Sequence, residues 1–223
     1  METVMMATMK RGVKVQLAAG LLVCFSSMAQ AKEWPFNVYL DGKEIGQHTF
    51  TLSENDGEKE LVSTANFNVK ILFINAYRYT HVAREKWRGD CLASLDARTE
   101  ENKEITVVKG KLEGDNFKVD VPIAKKPKPL QSLPACIMTF PYWNANMLAQ
   151  NHLLNPQTGE WLDVKIRSLG NEKIEVRGQA VPAEHFKLEA TKMKIDLWYS
   201  PDKEWLALTS TTPEGYVITY KLR

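Results

Sequence analysis

The stretch Trp34-Pro35-Phe36-Asn37-Val38-Tyr39-Leu40-Asp41-Gly42-Lys43-Glu44 decides the fold class. Trp34, Phe36, Val38 and Leu40 stand at every second position, and on a pleated strand such residues share one face. Asp41-Gly42 follows at once, and glycine accepts the positive φ that a primed hairpin turn demands. The reading is therefore a strand, a tight turn and a return strand from Glu44 to Ser53, after which Asn55-Asp56-Gly57 turns the chain again.

The same period continues outward from this hairpin. Ala65, Phe67, Val69, Ile71 and Phe73 share a face, and after a break near Asn75 so do Tyr77, Tyr79, His81, Ala83 and Trp87. Gly89-Asp90 closes that hairpin, and strands are expected at 91–98, 105–112 and 117–121, with a turn at Glu113-Gly114-Asp115-Asn116. Residues 122–135 hold four prolines and three lysines and are expected to form a long crossover between two halves of a sheet or barrel. One helix is expected from about Trp143 to Leu154, where Trp143, Met147, Leu148 and Leu154 can share a face before Pro156 stops it. Strands return at 160–168, 172–179, 184–191, 193–200, 204–211 and 215–222, separated by Gly170-Asn171, Pro182, Pro201-Asp202 and Pro213-Glu214-Gly215. The fold class is thus all-β: a single antiparallel β-barrel or strongly curved sheet of about a dozen strands with one short helix.

Composition agrees with a folded chain, since 44% of the 223 residues are hydrophobic and 25% charged. Residues 1–31 read as a signal peptide: Lys10, Arg11 and Lys14 precede the apolar run Val15 to Phe25, and Ala29-Gln30-Ala31 offers the small residues of a cleavage site after Ala31. The run is too short for the roughly 20 residues of a membrane span, and Val23 ahead of Cys24 departs from a lipoprotein signal. The expected product is one periplasmic domain, residues 32–223, that is not an integral membrane protein. Losing Lys10, Arg11, Lys14 and Glu2 leaves 26 basic and 26 acidic residues, a neutral balance without the field that would gather nucleic acid. Cys91 and Cys136 remain, and an even number in an exported chain points to a disulfide. The alternative is two buried thiols acting as small hydrophobes.

The sequence holds no Gly-x-Ser-x-Gly, no His-Glu-x-x-His, no phosphate-cradling glycine loop before a helix and no Cys-x-x-Cys. No catalytic residue, metal or cofactor is therefore assigned. His48 falls in register with Phe50 and Leu52, and His81 with Tyr77, Tyr79 and Trp87, so both imidazoles point to an apolar or aromatic interior. They are either core histidines with hydrogen-bond partners or polar anchors of a ligand cavity. His152, in the expected helix tail, and His185 read as surface residues. Aromatic clusters at Phe140-Pro141-Tyr142-Trp143 and again at Trp198-Tyr199 and Trp205 either pack the core or line the mouth of a lipid or sugar site. A ligand site, if present, is expected to use His48, Tyr77, Tyr79, His81, Tyr142, Trp143 and Trp198.

A chain-long order of motifs supplements these readings. Leu40-Asp41-Gly42-Lys43-Glu44-Ile45-Gly46 is followed by Glu85-Lys86-Trp87-Arg88-Gly89-Asp90-Cys91-Leu92 and by Asp96-Ala97-Arg98-Thr99. Then come Cys136-Ile137-Met138-Thr139-Phe140-Pro141-Tyr142-Trp143-Asn144, Leu153-Leu154-Asn155-Pro156-Gln157-Thr158-Gly159-Glu160, Asp196-Leu197-Trp198-Tyr199 and Ile218-Thr219-Tyr220. This order resembles the exported bacterial family DUF6134, itself similar to the β-rich envelope proteins of DUF3108. The resemblance implies location and fold, and it implies no activity. The expected function is a non-enzymatic periplasmic barrel that binds an apolar or amphipathic envelope molecule, a lipid-like or glycan partner. Two rivals stand beside it: an envelope hydrolase or isomerase with His48 or His81 as base beside a carboxylate, and a scaffold that holds a partner by a sheet edge or by the loop Lys125 to Pro129.

Overall fold

The computed structural model describes residues 31–71, 74–126, 128–191 and 193–223. The expected leader with Cys24 and Ala29, and Phe73, lie outside the described residues. Fourteen strands follow one another: β1 (Lys32–Leu40), β2 (Lys43–Asn55), β3 (Glu58–Ile71), β4 (Ile74–Arg88), β5 (Cys91–Glu101), β6 (Glu104–Glu113), β7 (Asn116–Ile123), β8 (Gln131–Pro134), β9 (His152–Leu154), β10 (Trp161–Val176), β11 (Gln179–Ala190), β12 (Met193–Tyr199), β13 (Trp205–Thr211) and β14 (Val217–Leu222). Asp41 and Gly42 both take positive φ, 47° and 82°, as the primed turn between β1 and β2 requires.

All neighbours are antiparallel, in the order β8-β7-β6-β5-β4-β3-β2-β1-β14-β13-β12-β11-β10-β9. The first and last strands therefore meet in the middle of the sheet, where β1 pairs with β14, Phe36 opposite Leu222 and Leu40 opposite Ile218. It walks out to β8, crosses to β9 at the far edge and walks back. Both halves feed one core: Phe36, Trp87, Leu95 and Phe117 from the first share a cluster with Leu188, Leu197, Tyr199 and Trp205 from the second. A smaller cluster of Val38, Ile45, Ala65, Phe67 and Tyr79 lies toward the other end of the same strands.

Three expectations are corrected. Residues 122–135 are not the crossover, because β8 folds back on β7, with Phe117 opposite Leu133 and Asn116 opposite Pro134. Proline is tolerated there because β8 is an edge strand, where a missing N–H breaks no ladder. The crossover is 135–151, and it holds no helix from Trp143 to Leu154: one 3-10 turn, Ala145–Ala149, ends at the extended Gln150. Leu153 and Leu154 belong instead to β9, opposite Leu162 and Trp161, and are fully buried. Tertiary pairing thus overrides a helical period that would bury only Met147 of the turn. Finally, Gly170-Asn171 and Pro182 do not end strands. β10 runs on through a bulge between Ser168 and Gly170, where Gly170 takes a φ of 99°. Pro182 sits opposite Lys173, beyond Glu184 where β12 stops pairing, so its missing N–H again falls on a free edge.

The crossover seals one end of the barrel. Cys91 and Cys136 are joined by a disulfide, with Cα atoms 4.7 Å apart. Leu92 N donates to Ile137 O at 3.0 Å and Leu154 N to Met138 O at 2.9 Å, so the crossover is stitched to both halves of the sheet. Its own Ile137, Met138, Thr139 and Met147 are buried. Gly159 fits here because a Cβ would stand 2.6 Å from a methyl of Val121.

Candidate functional site at the histidine and tyrosine end

Period-two strands put alternate side chains of β2 to β5 and β14 into the interior, so the site follows from register. His48 of β2 stands opposite Ala65 of β3, which stands opposite His81 of β4, which stands opposite Thr99 of β5. His48 and His81 are both buried, with 9% and 3% of their surface exposed. His48 Nε2 lies 2.7 Å from Ser63 Oγ, and its Nδ1 lies 3.3 Å from Tyr220 OH. His81 Nδ1 lies 2.9 Å from Thr99 Oγ1. Each imidazole is therefore held by hydroxyls and not by the carboxylate that a catalytic base was expected to have beside it.

The rings around them form a ladder. Tyr79 stacks on Phe67 at 5.2 Å and lies 6.5 Å from Tyr77 and 6.3 Å from His81, all near parallel. His48 stacks on Phe50 at 4.0 Å, and Tyr220 meets it at 5.7 Å. Toward the outer end Leu40, Val69, Tyr77, Ile218 and Tyr220 are only partly buried, so the ladder reaches the rim. Tyr77 there is hydrogen-bonded to Glu101.

Burial decides the protonation of this end. It holds the His48 imidazole well below its usual range, with the neighbouring His81 adding to the effect, and it lowers His81 to about 4. Both rings are neutral at pH 7 and can each offer one N–H and one bare nitrogen. Burial also pushes the hydroxyls of Tyr79 and Tyr220 upward, so they stay protonated.

Tyr142 and Trp143 reach the interior from the crossover. The Tyr142 ring lies 5.1 Å from Trp205 and 6.5 Å from Phe50, and its carbonyl accepts from Tyr199 OH at 2.9 Å. Trp143 meets Trp87 edge-on at 5.8 Å, at the sealed end. Trp198 is brought to neither place. It alternates with the buried Leu197 and Tyr199, faces outward, stacks on His185 at 4.6 Å and donates to Glu172 at 2.6 Å. His185 is wedged there between Glu172 and Asp196, and His152 is an outer strand residue beside Asp163.

Four inward polar residues escape the sequence reading: Ser63, Glu85, Thr99 and Tyr220. Glu85 carries a signal in plain view, since it stands at the same parity as Ala83 and Trp87. It accepts from Trp87 Nε1 at 3.1 Å, and burial raises its carboxyl to about 7 against the opposing pull of Thr139 and Trp87. The hydroxyls share that parity signal, Ser63 with Ala65 and Phe67, Thr99 with Ala97 and Tyr220 with Ile218, but polar residues alternate on exposed faces as readily.

Outside the barrel, a groove of about 620 Å³ runs across β3 to β7 and mixes Arg84, Lys86, Lys109 and Lys111 with Glu60, Asp96 and Asp120. Its opposite charges pair with one another, Arg84 with Glu60 and Lys109 with Asp96, each at 3.7 Å. Among the described residues no three His, Cys, Asp or Glu side chains converge as a metal site, and no helix is long and apolar enough to cross a membrane.

Comparison with known proteins agrees with this architecture. The crystal structure of a β-barrel-like protein of the domain of unknown function DUF1849 from Brucella abortus superposes with a TM-score of 0.61, covering 87% of this chain and 96% of that one at 8% identity. Such a likeness shows the fold alone. No curated protein matches the chain. The model of a domain of unknown function, DUF6134, matches residues 36–223, most of the chain, and the chain belongs to that family.

Proposed function

We propose that this protein is a non-enzymatic binder of an apolar or amphipathic envelope molecule, held at the histidine and tyrosine end of the barrel. One observation carries the reading: the interior changes along its length from a sealed, mainly aliphatic and tryptophan core to a ladder of aromatic rings, imidazoles and hydroxyls that reaches a half-buried rim. Aromatic walls with a few convergent polar groups are the usual make-up of a small-molecule site. The leader read in residues 1–31 supports export to the periplasm, and β1 begins at Lys32, directly after the expected cleavage point.

Native mass spectrometry of the protein taken from its own envelope fraction tests the reading. A bound small molecule, lost when Ala65→Trp puts an indole at the position between the two histidines, is the expected result. A bare polypeptide mass, before and after incubation with envelope lipid extract, overturns it. N-terminal sequencing of the same sample is expected to begin at Lys32.

A second reading, a hydrolase, is favoured by one contact, the 2.7 Å approach of Ser63 Oγ to a neutral imidazole nitrogen of His48. Labelling of Ser63 by a fluorophosphonate, abolished in His48→Gln, would support it. An unlabelled Ser63 in folded protein removes it.

A further inference from the structure

We propose that the protein forms a twofold dimer through the hairpin arm of β10 and β11, with residues 171–177 of two copies pairing antiparallel to make one four-stranded ribbon.

The arm follows from where pairing stops. β9 pairs with β10 only at Trp161, Leu162 and Asp163, and β12 leaves β11 at Glu184, yet β10 and β11 stay paired out to Val176 opposite Gln179. Residues 171–182 are therefore a two-stranded ribbon with no described strand on either side. The ribbon is held at both ends. At its root Glu172 accepts from Trp198 and meets His185, and at its tip Arg177 Nε donates to Arg223 O. An arm fixed in this way presents its edges with little further ordering to lose.

The two edges differ. Arg177 and Gly178 take positive φ, 52° and 77°, as in a two-residue primed turn, and such a turn makes Val176 and Gln179 a hydrogen-bonded pair. Bonded and unbonded pairs then alternate, so Ile174 is bonded to Val181, and Lys173 opposite Pro182 is not. Pro182 turns its ring to the β11 edge and blocks it. On the β10 edge Lys173 and Glu175 point their N–H and C=O groups outward, with no proline in the way. Both residues are exposed, and among the described residues neither side chain has a hydrogen-bond or ion-pair partner.

Charge then selects the occupant. A lysine on a bare edge ordinarily keeps other strands away. In a twofold antiparallel pairing centred on Ile174, however, Lys173 of each copy stands opposite Glu175 of the other. Both fall at the hydrogen-bonded positions that their outward groups require, and the half-buried Ile174 meets its own counterpart. Moving the centre by one residue sets Lys173 against Lys173 or Glu175 against Glu175. One register of a second copy is thus favoured, and those on either side of it are penalised. Pairing ends near the bulge between Ser168 and Gly170, where each ribbon enters its own barrel, so the barrels lie at opposite ends. Two ribbons this short bury an area at the low end for specific interfaces, roughly 1,000 Å² in all, and the dimer is expected to dissociate in the micromolar range.

Sedimentation equilibrium of the mature chain over about 1–300 μM brackets that range and tests the proposal. The parent is expected to pass reversibly from monomer to dimer mass. Lys173→Glu sets acids against acids in both symmetry-related pairs, and Glu175→Lys sets lysines against lysines. Each variant alone is expected to weaken the dimer at least about tenfold. An equimolar mixture of the two variants is expected to recover the parent's association as a heterodimer, which a folding defect in either could not imitate. A parent that stays monomeric throughout, single variants that associate as the parent does, or a mixture that stays monomeric would each overturn the proposal.

Discussion

His48 and His81 are buried at one end of the barrel among hydroxyls, and Glu85 is buried toward the other beside an indole, beneath a crossover tied down by a disulfide. All three have lost their water, and none has an opposite charge as partner, so each moves toward its neutral form. For a base that means a lowered pKa and for an acid a raised one. The ends differ in closure as well: the glutamate end is stitched shut by backbone bonds from both halves of the sheet, and the histidine end stops at a rim of half-buried side chains. The same strands thus carry a covered end and an end rimmed by half-buried side chains, and the comparison can be broken or sharpened at four levels.

The largest effect is expected from the sealed end. Trp87 is fully buried, meets Trp143 edge-on and donates to Glu85. Trp87→Ala is expected to lose about 3–5 kcal/mol in denaturant unfolding, a cavity that a rigid, cross-linked end cannot collapse to fill. Tyr77→Ala at the open rim is expected to lose less than half of that. Equal losses would mean that the two ends do not differ in packing.

Next comes the cross-link. Cys91 and Cys136 close a loop of 45 residues, for which the chain-entropy model gives up to about 4 kcal/mol. Replacing both by alanine is expected to speed amide exchange in 135–151 and at the start of β5, with the strands around His48 keeping their protection. Loss of protection at both ends alike would join them into one cooperative unit and erase the contrast.

The third level is pH, where the ends have opposite signs. His81 has its pKa lowered from 6.5 to about 4, so its contribution is complete above 6.5 and is lost as pH falls toward 4. Glu85 has its pKa raised from 4.5 to about 7, so its contribution is complete below 4.5 and is lost as pH rises through 7. For His81 and Glu85 each amounts to something on the order of 3 kcal/mol, and between the two ordinary values Glu85 opposes both His81 and the likewise lowered His48. The parent protein is therefore expected to lose stability on acidification through that range. Glu85→Gln should steepen that loss, and the double variant His48→Gln/His81→Asn should reverse it into a loss on going from mildly acid to neutral pH. Urea midpoints across that range decide it, and parallel profiles for the two variants would sink the account.

The smallest effect is expected on the outer face. Trp198 packs on His185 with its indole bound to the exposed Glu172. Trp198→Ala should cost no more than about 1 kcal/mol and leave the small molecule detected by native mass spectrometry in place. A lost binding signal would move the site outside the barrel.

Much of this architecture can be read without coordinates, and the limits of that reading are physical. Alternation from Trp34 to Leu40, with Asp41-Gly42 after it, specifies a half-buried hairpin because pleat and turn are local properties of a few residues. The inward direction of His48 and His81 follows from the same parity. Residues 143–154 are the counterexample. Their spacing fits a helix, yet Leu153 and Leu154 gain more as a strand beside Trp161 and Leu162, a neighbour that sequence distance does not reveal. Pro134 and Pro182 likewise read as breaks until the sheet order shows that both lie on free edges.

The sequence by itself determined the strand class, the faces of the regular strands and the family, because each depends on short-range pattern or on motif order. Only the tertiary structure decided that the first and last strands pair in the middle of the sheet, that 135–151 seals one end, and that Ser63, Thr99 and Tyr220 hold the histidines. His48 and Tyr220 stand 172 positions apart, and no local propensity encodes which distant strand will bring a hydroxyl to a buried imidazole.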